Sequence, residues 1–142
     1  MIPPALAVAT AVTFVWLGMV LAISFLEAPL RFRAPQVSLR IGLGIGRLVF
    51  RALNTVEAVL ALALVVAIIL ASAPVRIVIA TVVAAAVLGV QLAVVRPRLT
   101  RRSDRILAGA NAPRSRSHYA YIALETAKVG ALLATGVLLL GA

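Results

Sequence analysis

The chain contains no cysteine, so disulfide bonds and sites that need a thiolate are excluded. It also has a single histidine, His118, and two methionines. These are too few nitrogen and sulfur ligands for a zinc, copper or haem centre, and we predict neither a metal nor a cofactor. Asp104 lies in an arginine-rich segment, where we expect a solvated counter-charge rather than the acid of a Ser–His–Asp triad. No catalytic residue is predicted.

Charged residues are scarce as well. They make up 13% of the chain, against 63% hydrophobic residues and a mean hydropathy of +1.13. A soluble domain is about 25% charged and much less apolar. Apolar runs longer than a small core can bury indicate a protein whose solvent is the lipid bilayer.

The net charge of +10 is unevenly distributed along the chain. Twelve of the 14 basic residues fall between the first and second apolar runs or between the third and fourth. Only Arg76 lies between the second and third runs, and Lys128 lies inside the fourth. This asymmetry fits the positive-inside rule, so both basic segments are predicted to be cytoplasmic. It does not indicate nucleic-acid binding.

Four apolar runs predict an all-α bundle of four transmembrane helices in one domain, residues 1–142. The predicted spans are about 5–27, 53–72, 75–95 and 119–140, the third ending at Pro97. Helices are expected because open sheet edges are not tolerated in lipid. The cytoplasmic loops would be 28–52 and 96–118, and both termini would be extracytoplasmic. We predict a multi-pass protein of the bacterial inner membrane.

The first basic segment allows two interpretations. Arg40, Arg47 and Arg51 recur at helical spacing, which fits either an interfacial amphipathic helix or a long second helix whose arginines snorkel to lipid phosphates. We predict that these three arginines and Arg96 contact anionic lipid or other anions. Gly42 and Gly46 have the small-xxx-small spacing that permits close helix approach.

Polar residues recur inside the apolar runs, within about two turns of the predicted cytoplasmic face. Ionisable groups there are costly and normally face a protein interior. One interpretation is a polar pocket or half-channel with Glu57 and Glu125 as proton or cation ligands. The other is a structural salt-bridge layer of Lys128, Arg47 and Arg51 against the three glutamates. The predicted cluster comprises Glu27, Asn54, Glu57, Gln91, Tyr121, Glu125 and Lys128.

The aromatic residues carry no ligand signature. Tyr119 and Tyr121 lie where an interfacial anchoring belt is expected. Trp16 lies in the middle of the first span, and we interpret it as a packing residue.

The stretch VWLGMVLAISFLEAPLRF resembles a group of small bacterial four-helix membrane proteins. The resemblance is carried by Trp16, Leu17, Gly18, Ala28, Pro29 and Phe32. The VVRPRL exit of the third run and His118 at the start of the fourth fit the same layout. The resemblance covers most of the chain and implies a fold and a membrane location, without an activity.

A second, shorter stretch, RALNTVE, is similar to the arginine–asparagine–glutamate signature of the membrane-associated eicosanoid and glutathione enzymes, which are trimers of four-helix chains. The matching positions are Arg51, Asn54 and Glu57, and the similarity implies glutathione binding at a subunit interface. That family spaces its arginine and asparagine one residue further apart, and the rest of this chain departs from it.

Three function classes therefore remain open. The first is a small transporter or channel for protons or cations, and the second is an accessory or assembly subunit of a larger membrane complex. The third is a glutathione-binding membrane enzyme. Small-residue faces on a bundle of this size predict a homo-oligomer or a larger partner.

Overall fold

The computed structural model describes residues 2–109 and 116–142, and all regular secondary structure in those ranges is helical. The helices are α1 (Pro4–Arg31), α2 (Leu39–Leu70), α3 (Val75–Leu107) and α4 (Arg116–Leu140). Each has a stretch long and apolar enough to cross a membrane, which in α4 lies within His118–Leu140. The predicted all-α fold with four candidate membrane spans is confirmed.

The four helices run up and down in sequence order. α1 packs along both α2 and α4, and α3 packs mainly along α4, whereas α2 and α3 touch less. A tight turn at 71–74 joins α2 to α3, with Ser72 at a positive φ of 50°. The half of the bundle next to this turn holds a core of apolar side chains that includes Ala9, Leu64, Ile77, Leu132 and Leu139. We call it the apolar half, and the opposite half the arginine-rich half.

Two helices contain a wide, π-helical segment, at Leu21–Glu27 in α1 and at Gln91–Val95 in α3. Each segment is followed two residues later by a proline, Pro29 or Pro97. A proline inside a helix has no N–H for the preceding turn and clashes with the carbonyl four residues earlier. The helix accommodates it by widening locally, as membrane helices commonly do.

The prediction that the third helix ends at Pro97 is therefore wrong, since α3 continues to Leu107. The predicted loop 28–52 is also largely helical. α2 begins at Leu39, where the Ser38 hydroxyl caps it by accepting a hydrogen bond from the Ile41 N–H at 3.2 Å. It then runs without interruption to Leu70, in agreement with the long-helix interpretation. The predicted loop 96–118 includes residues 110–115, which lie outside the described residues.

The end of α1 lies directly against the start of α2. A Cβ atom built on Gly42 would overlap the ring of Phe32, and one on Gly46 would overlap the Arg31 guanidinium. Arg31 also donates from Nη1 to the Gly42 carbonyl at 3.3 Å. The close helix approach predicted for the glycine pair is found here.

Candidate functional site

Three fully buried ionisable side chains meet at the centre of the bundle. The Lys128 ammonium on α4 forms ion pairs with Glu57 on α2 and, at 2.6 Å, with Glu125 one turn earlier on α4. Lys128 and Glu125 face the same way because residues three apart share one side of a helix. We call these three residues the ion cluster.

Neutral side chains from the other helices complete the shell around the ion cluster. The Trp16 indole N–H on α1 donates to Glu57 Oε1 at 3.0 Å. Gln91 on α3 accepts from Lys128 Nζ at 2.9 Å and donates to Glu125 Oε1 at 3.4 Å. Every helix of the bundle therefore contributes a hydrogen-bonding group.

The wide segments place two of these neutral partners. Ser24 lies within the π-helical segment of α1 and donates to Glu125 Oε2 at 2.7 Å. Gln91 opens the corresponding segment of α3. The prolines that widen the helices thus lie next to the residues that solvate Glu125.

The ion cluster is not electrically neutral when all its members are ionised, since one ammonium faces two carboxylates. A net buried charge in a low-dielectric interior is costly. Glu57 Oε2 is buried and has no hydrogen-bond partner within residues 2–109 and 116–142. The cluster therefore has both the charge and the free oxygen needed to take up one positive charge.

The sequence analysis predicted four members of this shell, namely Glu57, Gln91, Glu125 and Lys128. It also included Glu27, which lies elsewhere: its side chain is 41% exposed and pairs with Arg31. Glu27 lies in the last turn of an apolar run, where water and the neighbouring Arg31 can solvate its carboxylate. It therefore does not need partners in the interior of the bundle.

Two residues of the shell, Trp16 and Ser24, were not predicted to belong to it. Trp16 was assigned to packing, although a fully buried indole N–H usually requires an acceptor, and that was the available signal. For Ser24 the only signal in the sequence was its position three residues before Glu27. That spacing is a poor guide here, because a widened helix changes which residues share a face.

A cavity of about 970 Å³ lies in the arginine-rich half, walled by all four helices. The predicted residues Asn54 and Tyr121 line it, together with His118. Its inner end reaches Glu125 and Ser24, whereas Glu57, Gln91 and Lys128 are not part of its wall. Glu125 is therefore the charged group through which the cavity meets the ion cluster. Five arginines also line the cavity: Arg31, Arg47, Arg51, Arg96 and Arg102.

These arginines are held in different ways. Arg31 pairs with Glu27, and Arg47 pairs with Asp104 at 2.6 Å, joining α2 to the end of α3. The predicted pairing of Arg47 with the glutamates is therefore wrong, because Asp104 is the carboxylate nearest to it on the facing helix. Of the four predicted anion-contacting arginines, Arg47, Arg51 and Arg96 line the cavity, and Arg40 is exposed outside it.

Arg96 is placed by aromatic side chains. Its guanidinium carbon lies 4.9 Å from the ring centre of Phe50 and 4.6 Å from that of Tyr121. The two rings meet edge to face, with centres 6.0 Å apart. Arginine stacks readily on aromatic faces because its charge is delocalised over a plane.

Comparison of the chain with protein-family models, curated proteins and solved structures finds no match. The function therefore has to be argued from the site itself. Of the three residues that resemble the glutathione-enzyme signature, Arg51 and Asn54 line the cavity, but Glu57 is bound to Lys128 and Trp16 behind it. The described residues contain no group of histidine and acidic side chains that could hold a metal ion.

The apolar half offers little to a charged solute. Two of its three buried threonines, Thr13 and Thr135, donate to carbonyls one turn earlier, each at 2.8 Å. The hydroxyl of the third, Thr81, has no hydrogen-bond partner among the described residues. The remaining core around them is apolar, consisting of aliphatic side chains together with Phe14 and Trp16. The arrangement connects the ion cluster to one end of the bundle only.

Proposed function

We propose that this protein is a multi-pass protein of the bacterial inner membrane that carries out proton-linked transport, with the cavity opening to the cytoplasm. The orientation is supported by the distribution of arginines, since the cavity lies at the end where they concentrate. The observation that carries the proposal is the ion cluster, in which two buried carboxylates share a single ammonium.

Binding of one proton is the simplest way to balance this cluster. Protonation of Glu57 or Glu125 would leave one carboxylate and one ammonium, which is a neutral pair. Glu57 Oε2, buried and without a partner among the described side chains, is the oxygen best placed to hold that proton. Ionisable groups in membrane spans commonly serve such relays.

A proton fits the route to the cluster better than a metal cation does. The cavity wall carries five arginines against one carboxylate, Glu125. Arg31 and Arg47 have carboxylate partners, but Arg51 and Arg96 have no ion pair among the described residues, and their charge raises the energy of a free cation in the cavity. A proton can instead be taken up by Glu125 at the inner end of the cavity and passed to the buried pair.

Release on the other side requires the apolar half to change its packing. Aliphatic side chains such as Leu64 and Leu132 fill the bundle beyond the ion cluster. We therefore propose a site loaded from the cytoplasm and opened to the outside by a rearrangement of the helices, rather than a continuous channel.

The test is proton flux into vesicles containing the purified protein. A potassium diffusion potential drives the flux, and a trapped dye reports internal pH. We expect wild-type protein to acidify the vesicles faster than protein-free vesicles do. Glu57→Gln and Glu125→Gln keep a polar side chain but cannot take up the proton as a carboxylate does, and should abolish the difference.

The matched control is Glu27→Gln, which changes a glutamate of the same chain outside the ion cluster and should retain flux. Helix content and thermal unfolding of each variant show whether it is folded. Wild-type flux no greater than that of protein-free vesicles would overturn the proposal, and so would unchanged flux in folded Glu57→Gln and Glu125→Gln.

A second candidate, a non-catalytic accessory subunit, is favoured by the fact that the shell around the ion cluster joins all four helices. In that case the cluster stabilises the bundle, and the protein works as a homo-oligomer or beside a larger partner among anionic lipids. It predicts no flux from any variant, together with lowered thermal stability of Glu57→Gln and Glu125→Gln.

A further inference from the structure

The wall of the cavity contains hydrogen-bond donors that the protein does not satisfy. Arg96 Nε and Nη2 are buried and have no hydrogen-bond acceptor in the described part of the chain, and the same holds for the Tyr121 hydroxyl. The two side chains are stacked on each other. Buried donors without acceptors are costly, and a cluster of them requires an explanation.

These donors suit an acceptor with several oxygens. Nε and Nη2 form one edge of the guanidinium plane, the edge that binds two oxygens of a carboxylate or phosphate side by side. Stacking between Phe50 and Tyr121 neutralises no charge, so Arg96 keeps its full positive charge at the cavity wall.

A second arginine is available to the same ligand. Arg51 lines the cavity, and within residues 2–109 and 116–142 its side chain has neither an ion pair nor a hydrogen bond. Arg31 and Arg47 are already neutralised by Glu27 and Asp104. Arg51 and Arg96 therefore line the cavity without an ion pair among the described residues, which suits a ligand with an anionic group.

The rest of the wall is apolar. A cavity of about 970 Å³ is at the upper end of the range for small-molecule sites, and a lone phosphate or carboxylate would fill little of it. The remaining lining favours an apolar chain attached to the anionic group. The apolar side chains of the wall include Phe25, Leu43, Phe50, Val59, Leu92 and Ile122.

We propose that this cavity is a binding site for an anionic amphiphile, a molecule with one phosphate or carboxylate group and an apolar chain. The anionic group binds Arg96 and Arg51, and the chain lies along the apolar wall. Glu125 at the inner end does not oppose this arrangement, because its carboxylate is already bound by Lys128 and Ser24. This site goes beyond proton transport and does not depend on it.

The test uses purified protein in nanodiscs of neutral lipid, with no pH gradient, so that it is independent of flux. Dodecyl phosphate and dodecanoate are titrated, and bound ligand is counted by native mass spectrometry. We expect one ligand per chain. Arg96→Gln and Arg51→Gln should each bind about tenfold more weakly, which is the loss expected for a charge-assisted hydrogen bond.

The matched control is Arg40→Gln, an exposed arginine on the same helix as Arg51 that does not line the cavity, and it should bind like wild type. Arg51 is exposed, so its variant is expected to fold even where Arg96→Gln does not. A third titration with phosphatidic acid in the disc identifies the source of the ligand. Displacement of dodecyl phosphate assigns the site to a bilayer lipid, and undisturbed binding assigns it to a soluble amphiphile.

Three outcomes would overturn the inference. Equal binding of dodecanol would show that charge is not recognised. Equal binding of inorganic phosphate alone would show that the apolar wall is not used. Unchanged binding by folded Arg51→Gln and Arg96→Gln would place the ligand elsewhere.

Discussion

The apolar half and the arginine-rich half of this bundle bury different kinds of side chain. In the apolar half, aliphatic residues from all four helices fill the interior. In the arginine-rich half the helices separate around a cavity of about 970 Å³, and the interior is held together by ion pairs and hydrogen bonds. The ion cluster lies where the two halves meet.

The contrast shows two ways in which this bundle holds its helices together. Within lipid, apolar contacts between helices gain little over contacts with lipid tails, so close packing and buried polar bonds hold the helices together. Close packing holds the helices together in the apolar half, and buried polar bonds hold them together at the ion cluster. The arginine-rich half can then keep an open cavity, because it is not required to supply a packed core.

The largest effect is expected from breaking the ion cluster. Lys128→Met leaves two buried carboxylates without their ammonium, and we expect the free energy of unfolding to fall by about 3–5 kcal/mol. Reversible unfolding in mixed detergent micelles, followed by circular dichroism, measures it. Leu132→Ala, one turn along α4 in the apolar half, is the matched control and should cost about 2–3 kcal/mol. A cost for Lys128→Met below that of Leu132→Ala would contradict the division between the halves.

A smaller loss is expected where α1 meets α2. The Cβ of Gly42→Ala would overlap the Phe32 ring, and forcing the two helices apart should cost about 1–3 kcal/mol of unfolding free energy. Gly44→Ala is the control two residues away, because a Cβ there meets nothing within 4 Å. That variant should be neutral or gain up to about 1 kcal/mol from better helix propensity. Equal behaviour of the two variants would show that the close approach is not maintained in the membrane.

The smallest effect is expected from the ion pair between Arg47 and Asp104. Their side chains are 38% and 55% exposed, and such pairs contribute less than about 1 kcal/mol. Asp104→Asn should therefore change the unfolding free energy only slightly, and the difference should vanish at about 1 M salt, where exposed charges are screened. A loss of about 2 kcal/mol that persists in salt would mean that the contact between α2 and α3 supports the cavity.

The sequence was sufficient for the helices and for part of the site. The apolar runs predicted four helices. Tyr121, Glu125 and Lys128, all in the predicted polar cluster, are spaced by four and three residues and lie on one inward face of α4, because helical periodicity is a local property. Asn54 and Glu57, three residues apart, also lie on one inward side of α2. Both predictions compare residues of one helix, so they need only the helical repeat and not the placement of other helices.

Other features depended on how separate helices are placed. The Trp16 bond to Glu57 and the pairing of Arg47 with Asp104 require the rotation of one helix against another, which periodicity does not specify. Pro97 was taken as a helix end, since proline ends most helices in water, whereas a helix within a bundle can widen and continue. A polar pocket was one of the two interpretations of the sequence, but the size of the cavity and the arginines that line it depend on the distance between helices.

The wide turns before Pro29 and Pro97 give α1 and α3 hinges at matching depth. A proline has no backbone N–H and donates no hydrogen bond to the preceding turn. Bending the helix at that point therefore costs one hydrogen bond fewer than bending it elsewhere. The segments beyond the two prolines are tied to α2, through the Arg31 bond to the Gly42 carbonyl and the ion pair of Asp104 with Arg47, and they can bend at these turns only if those contacts open. Such a motion would change the width of the cavity entrance and the reach of its arginines without loss of the fold.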